Sequence, residues 1–323
     1  MQYALPIELQ AFLEDQLEGV SRVGLRERAA GMSANYRASG NSDTLRDGLD
    51  ALAYAAVRMP GTFAATRAAA RRVAEALPGF APASLLDAGA GPGATTRACR
   101  AVWPSVERAT LLDHNEHLLA FAAASFEAEG DAAVQTLRRR LPNGLEDAHR
   151  ADLVVAGYVL NELTPEAQGH TLDRLWSLTG GVLLLVEPGT SEGFARLLVH
   201  RERLLGLGAR VVAPCSHAGA CPLAGHERWC HFAQRLPRSK NHRLIKGVEV
   251  AFEDEKYGYL AFAREGPVEE LGPRILATPR VSKGDARLLV CTPGEPTELV
   301  IRRSDKRGYK AARKLEWGDT APA

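Results

Sequence analysis

The chain has 323 residues, 46% hydrophobic and 24% charged, a balance that excludes a disordered or collagen-like polypeptide. It carries no apolar run of about 18 residues, and its opening MQYALPIELQAFLEDQLEGV lacks the basic start of a secretory signal. A cytoplasmic protein with no membrane partner is therefore expected. The net charge of +1 hides an asymmetry: residues 1–195 hold 17 Lys/Arg against 24 Asp/Glu, and the remainder from Arg196 holds 23 against 15, so the back of the chain is suited to a polyanion.

In chain order, residues 5–76 predict helices. Leu9, Phe12, Leu13 and Leu17 open an apolar stripe, and ALAYAAVRM and TFAATRAAARRVAEAL are rich in strong helix formers. Pro60-Gly61 is expected to separate those two helices, with Thr62 capping the second. Beyond Pro82, SLLDAGAG (84–91), ATLLDHN (109–115), AVQTLRR (133–139), ADLVVAGYVL (151–160) and GGVLLLVEPG (180–189) predict strands with helices between them. That alternation implies a parallel sheet covered on both faces. FARLLVHRERLLGLG predicts one more helix. HRLIKGVEVAF, YGYLAFAR, RLLVC and TELVIRR then predict a β-rich remainder. Three regions result: a helical region over 1–80, an α/β core over 81–208, and a loop with a β-rich extension over 209–323.

LLDAGAGPGATT places Gly89, Gly91 and Gly93 between a strand and a helix. Glycine is needed where backbone must approach a ligand closely, and the helix start offers free N–H groups. Gly89-x-Gly91-x-x-Ala94, with Asp113 about 20 residues on, fits a dinucleotide fingerprint and a nicotinamide oxidoreductase. The same glycines, preceded by Asp87, resemble the first motif of class I S-adenosylmethionine-dependent methyltransferases. That resemblance implies Asp87 near the methionine end of the cofactor and Asp113 on its ribose hydroxyls. ADLVVAGYVLNEL resembles the fourth-strand segment of those enzymes.

Three of the five cysteines, Cys215, Cys221 and Cys230, fall within sixteen positions, and Cys291 stands far downstream. A four-thiolate site suits zinc or an iron–sulfur cluster. His217, His226 and His231 are possible substitute ligands. Cys99, within a predicted helix, is expected to be a small buried residue. Pro214-Cys215 also matches the nucleophile dipeptide of cytosine-5 methyltransferases, although a nucleophile explains one thiol and a ligand role explains three.

AYAAVRMPGTFAA, LLDAGAGPG, VLNEL, VEPGT, CSHAGACPL, WCHFAQRL, RSKNHRLIKG and FEDEKYGYLAF together resemble the family of mitochondrial small-ribosomal-subunit methyltransferase-like proteins, which has bacterial members. The resemblance implies a class I methyltransferase fold, an α/β, Rossmann-like, seven-stranded core, with an N-terminal helical region and a metal-stapled β-rich C-terminal extension. It also implies a small-ribosomal-subunit (rRNA) partner, S-adenosylmethionine, and a 4Fe-4S cluster on Cys215, Cys221, Cys230 and Cys291, with zinc as the alternative metal.

Two basic stretches are candidate RNA contacts. RLPRSKNHRLIK offers Arg238, Lys240, Arg243 and Lys246. IRRSDKRGYKAARK offers Arg302, Arg303, Lys306, Arg307 and Lys310, with Tyr309 to stack on a base. For catalysis, the fourth-strand segment lacks an Asn/Asp-Pro-Pro-aromatic motif. It holds Tyr158, Asn161 and Glu162 instead. Asn161 and Glu162 could orient a methyl acceptor; equally, Asn161 could cap the next helix and Glu162 could be a surface acid. Glu187 is similarly open. The expected function is an S-adenosylmethionine-dependent rRNA methyltransferase. A non-catalytic assembly factor that keeps the pocket for structure is the alternative, and a monomer is expected.

Overall fold

Four helices open the chain: α1 (Ile7–Leu17), α2 (Arg22–Arg37), α3 (Gly48–Val57) and α4 (Met59–Ala76). They belong to a computed structural model that describes residues 3–37, 42–265 and 272–322. Asp47 caps α3 by accepting from Asp50 N at 2.9 Å, and Arg28 pairs with both acids. Pro60-Gly61 does not separate α3 from α4. The break falls at Arg58, the C-cap of α3, and Pro60 lies in the first turn of α4. Its missing N–H has no intrahelical partner to lose there, so Thr62 lies inside the helix.

Alternating strands and helices follow as anticipated: β1 (Ser84–Ala88), α5 (Ala94–Arg100), β2 (Arg108–Asp113), α6 (Glu116–Ala128), β3 (Val134–Arg138), β4 (Ala151–Gly157), α7 (Pro165–Leu178) and β5 (Thr179–Pro188). The chain continues through α8 (Ser191–Gly206), β6 (Arg210–Ala213), β7 (Phe232–Pro237), α9 (Lys240–Lys246), β8 (Phe252–Ala263), β9 (Arg280–Val281), β10 (Asp285–Val290), β11 (Thr297–Arg302) and α10 (Lys306–Ala312). Contacts divide it into two units. The first comprises Met1–Arg71, Ala81–Val186 and Gln234–Glu255; the second comprises Arg72–Phe80, Glu187–Ala233 and Lys256–Ala323.

In the first unit the strands lie in the order β3-β2-β1-β4-β5, every neighbour parallel. This is the class I methyltransferase, Rossmann-like arrangement. Leu85, Leu86, Leu153, Val154, Val155, Leu183 and Leu184 are buried, as strands covered on both faces require. Each such side chain contributes roughly 1.5–3 kcal/mol. Leu9, Leu13, Leu17, Leu25, Met59 and Phe63 of the opening helices pack with Ala94, Ala98, Leu118 and Ile245. The order of strands reverses between β1 and β4, and ligands bind at the carboxyl ends of strands at such a switch point.

HRLIKG, expected to be extended, forms α9. Ser239 Oγ accepts from His242 N at 3.1 Å, and Gly247 ends the helix at φ 71°. A serine cap and a left-handed glycine stop fix one short helix, and they outweigh the β-like composition.

In the second unit β6 pairs antiparallel with β8. β9, β10 and β11 form a small antiparallel sheet over Ile275, Leu288, Val290 and Ala321. Among the described residues no helix is long and apolar enough to cross a membrane.

Candidate functional site

The turn after β1 has Gly89, Gly91 and Gly93 at φ 76°, 52° and 82°, a region that L side chains enter only with strain. The three glycines differ in what surrounds them. A Cβ on Gly89 would lie 2.4 Å from Val159 Cβ, and one on Gly93 would lie 2.8 Å from the Phe126 ring. On Gly91 the nearest atom would be 3.9 Å away. Gly91 therefore keeps open space above its backbone and lines a cavity of about 640 Å3, counting volume open to solvent, with Gly89, Asp113, His114, Tyr158 and Glu162.

Asp113 closes β2 and is nearly buried. Its Oδ2 accepts from Gly91 N and its Oδ1 from Asn115 N, both at 2.8 Å. The carboxylate lines the cavity and also braces the glycine turn. Asn115 caps α6 and donates to Ser42 O and Leu45 O at 3.1 Å.

Asp87 does not line this cavity. It is fully buried beneath the turn, where Oδ2 accepts from Thr96 N at 3.0 Å and Thr96 Oγ1 at 2.7 Å. Gly93, the N-cap of α5, has no side chain to satisfy the helix start, so Asp87 does so from β1. Its Oδ1 makes no hydrogen bond. Burial raises its pKa to about 7, the Thr96 bonds oppose this, and the Asp113 charge adds to it.

After β4 the paths of the two candidate catalytic residues diverge. Glu162 lines the cavity, and its Oε2 accepts from Ser42 N and Oγ, both at 2.9 Å. Asn161 does not line it, and its Oδ1 makes no hydrogen bond. Thr164, rather than Asn161, caps α7. Tyr158 lines the cavity at φ 58°, the single non-glycine residue with positive φ among those described, and its hydroxyl donates to Glu255 Oε1 at 3.1 Å. Burial pushes the Glu255 carboxyl up, against the Tyr158 bond. Ser42 and His114 carried no sequence signal for this cavity, because only tertiary packing brings residue 42 to the ends of β2 and β4. Glu187, at the end of β5, is fully buried in an ion pair with Arg196 at 2.8 Å.

In the second unit Cys215, Cys221, Cys230 and Cys291 line one cavity with Arg201, Arg274 and His217. Cys99 lies elsewhere, fully buried in α5. Burial lifts the thiol of Cys291 to about 12 and that of Cys230 well above its ordinary value, and the neighbouring sulfurs add to both. Burial also raises Cys215, against the Arg201 charge. Such thiols stay protonated at neutral pH, so any metal must displace their protons. His217 Nε2 stands 3.9 Å from Cys291 Sγ, whereas His231 stacks on Trp229. The donor set suits a thiolate-bound metal. Among the described residues, however, no group of three or more His, Cys, Asp or Glu side chains is arranged to hold one. Cys215 is not among the residues lining the glycine-turn cavity.

The two basic stretches also differ. Arg238 and Lys246 pair with Glu253, and Arg235 with Asp254 at 2.8 Å. Burial opposes ionisation of Glu253, yet His242, Lys246 and Arg238 hold its carboxyl far below the usual range. Lys240 and Arg243 form no ion pair among the described residues. Arg302, Arg303, Lys306, Arg307 and Lys310 are exposed and likewise form none. The Tyr309 hydroxyl donates to Ser282 O, which fixes the edge of its ring.

Residues 48–322 match the family described as Mitochondrial small ribosomal subunit Rsm22. The chain belongs to the Rsm22 family. Among curated relatives of this Rsm22 chain, it is 30% identical over 296 residues to the human protein "Ribosome assembly protein METTL17, mitochondrial", covering 84% of the chain and 62% of the relative. It is 26% identical over 292 residues to "Rsm22-cox11 tandem protein 2, mitochondrial" of Schizosaccharomyces pombe, covering 74% of the chain and 38% of the relative. The chain thus spans under two thirds of either relative's length. Among solved structures, a magnesium protoporphyrin IX methyltransferase of Synechocystis PCC 6803 is similar at TM-score 0.43 and 12% identity, covering 76% of the chain and 100% of that protein. The expected cytoplasmic location is overturned: the family and both relatives are described as mitochondrial.

Proposed function

We propose that the chain is a methyltransferase-fold assembly protein of the small ribosomal subunit, with S-adenosylmethionine in the glycine-turn cavity. The observation that carries this reading is the open face of Gly91 beside Asp113. Backbone can approach a ligand there, and each Asp113 oxygen keeps a lone pair after its one backbone bond. Gly89 and Gly93 hold the turn, Asp87 fixes the helix start, and Tyr158 and Glu162 form the wall after β4. The bound cofactor would supply an electrophilic methyl group. Glu162 is the proposed group for orienting an acceptor, whereas Asn161, outside the cavity lining, is not. A non-catalytic role is the second reading, favoured by Glu162 already accepting two bonds from Ser42.

The four-cysteine cavity is proposed to hold a 4Fe-4S cluster, with zinc as the alternative. Support comes from four of the five cysteines lining one cavity. The metal would supply a staple joining the loop of Cys215, Cys221 and Cys230 to Cys291 at the end of β10. The exposed cations of β11 and α10, Arg302, Arg303, Lys306, Arg307 and Lys310, are the proposed rRNA contacts. Lys240 and Arg243 add to them, whereas Arg238 and Lys246 serve chiefly to hold Glu253.

Methyl-labelled S-adenosylmethionine incubated with small-subunit precursor particles tests the function. Label entering the RNA, and lost in Asp113→Asn, supports an enzyme. Cofactor binding and particle association without label transfer support the assembly role. Absence of both cofactor and particle binding contradicts the proposal.

A further inference from the structure

Two buried arginines face the four thiols, and neither is balanced by a buried carboxylate. Arg201, on α8, is 1% exposed. Its Nη2 donates to His217 O at 3.0 Å and Gly219 O at 2.7 Å. Its Nη1 reaches Glu202, whose side chain is 65% exposed, and its Nε makes no hydrogen bond. Arg274 is 3% exposed, donates Nε to Pro214 O at 3.1 Å and Nη1 to Gly318 O at 2.9 Å, and forms no ion pair among the described residues. Both side chains line the cavity of Cys215, Cys221, Cys230 and Cys291.

A guanidinium does not lose its proton in a protein, and a buried charge without a counter-charge is strongly destabilising. Carbonyl dipoles orient these two groups but cannot neutralise them. Three of the four carbonyls belong to Pro214, His217 and Gly219, each within two residues of Cys215 or Cys221. The same bonds that hold the arginines therefore shape the cysteine loop. Neutral thiols would leave Arg274 without a counter-charge and Arg201 with only the solvent-exposed Glu202. Four thiolates around a dipositive core, whether zinc or an oxidised 4Fe-4S cluster, carry a formal charge of about −2, which two guanidiniums cancel.

We infer that Arg201 and Arg274 are the built-in counter-charges of a four-thiolate metal centre, positioning residues that stabilise the ionised sulfurs. This rests on the metal reading proposed above, and it adds what the ligands alone do not specify: the cavity is built for a net dianion. Removing one arginine leaves the centre with an uncompensated negative charge and weakens metal retention. If the metal is iron, reduction adds a further negative charge, so loss of an arginine makes the reduction potential more negative.

The test uses full-length protein purified without oxygen, as wild type, Arg201→Gln, Arg274→Gln, Arg201→Lys and Arg274→Lys. Iron, acid-labile sulfide and zinc are measured, followed by metal release to excess chelator. Circular dichroism reports folding, and redox titration follows where iron is present. The Gln variants are expected to release metal about 10- to 100-fold faster, and the Lys variants to recover most of that loss. With iron, the Gln variants shift to more negative potential and the Lys variants do not. Gln variants with wild-type release and potential overturn the inference and leave the metal reading standing. Lys variants as impaired as the Gln variants, folded or not, also overturn it, because hydrogen-bond geometry rather than charge would then be responsible. Wild-type protein with neither iron nor zinc overturns the metal reading itself.

Discussion

Gly89 and Gly91 stand two residues apart in one turn, yet alanine should affect them in different ways. At Gly89 the new Cβ meets Val159 Cβ and Cγ2 at 2.4 Å and Cγ1 at 2.9 Å, at φ 76°. Left-handed backbone costs an L residue roughly 1–2 kcal/mol, and overpacking a buried site costs roughly 1–3 kcal/mol more. Gly89→Ala should therefore lose roughly 2–5 kcal/mol, much of the total stability of an ordinary domain. At Gly91 only the backbone cost applies, because the nearest atom is 3.9 Å from the new Cβ. Gly91→Ala should lose about 1–2 kcal/mol, while its methyl group narrows the approach to the cavity. Urea unfolding followed by circular dichroism measures the first effect, and calorimetric titration with S-adenosylhomocysteine measures the second. Adding Val159→Ala to Gly89→Ala removes the contacts to Cγ1 and Cγ2 but keeps the one to Cβ at 2.4 Å, so it should restore only part of the overpacking loss, as a coupling between neighbours. Equal destabilisation by the two alanines, or wild-type ligand affinity in Gly91→Ala, would refute the assignment.

Asp87 ionises at about 7 in the fold and at 3.8 when unfolded. Its contribution to stability is thus present at low pH and is lost as pH rises toward 7. The stability difference between wild type and Asp87→Asn should tilt by at most about 1.4 kcal/mol per pH unit across that window. A flat difference from pH 4 to 7 contradicts the burial argument. Cys291→Ser should abolish metal binding on elemental analysis, whereas Cys99→Ser should leave metal content unchanged and lower only stability. Equal metal content in both variants would remove Cys291 from the centre. Alanine at Arg302, Arg303 and Lys306 should flatten the salt dependence of RNA binding by about 0.7 per lost phosphate contact on single strands. Arg238→Ala should instead lower unfolding stability by about 1–3 kcal/mol and leave the slope intact. The reverse pattern would exchange the roles of the two basic stretches.

The parallel core was legible because its signals are local. Apolar runs such as LLLVE bury on both faces of a sheet, and the glycines after β1 fix the turn. The four cysteines singled out by residue type line one cavity, although Cys291 is far from the others in sequence. What escaped depended on distant partners or on short caps. Ser239 and Gly247 impose a helix on a segment whose composition favours strands. RLPRSKNHRLIK contains no acid, so it read as a free cationic surface. Its counter-charges, Glu253 and Asp254, arrive from β8. Asp87 matched a cofactor motif by spacing, yet its nearest need was the uncapped start of α5. Glu162 reached the cavity, but its bonds to Ser42 could not be read from either residue's neighbours. The expected cytoplasmic location was drawn from composition and the opening residues, and it gives way to a family and relatives described as mitochondrial.

Ligand choice at the β1 turn tests the account most directly. The full-length protein is titrated calorimetrically with S-adenosylhomocysteine and separately with NAD, alongside Asp113→Asn. Saturable binding of S-adenosylhomocysteine, weakened in the variant, with no heat from NAD is the predicted result. Binding of NAD in its place, or of neither compound to a folded wild type, contradicts it.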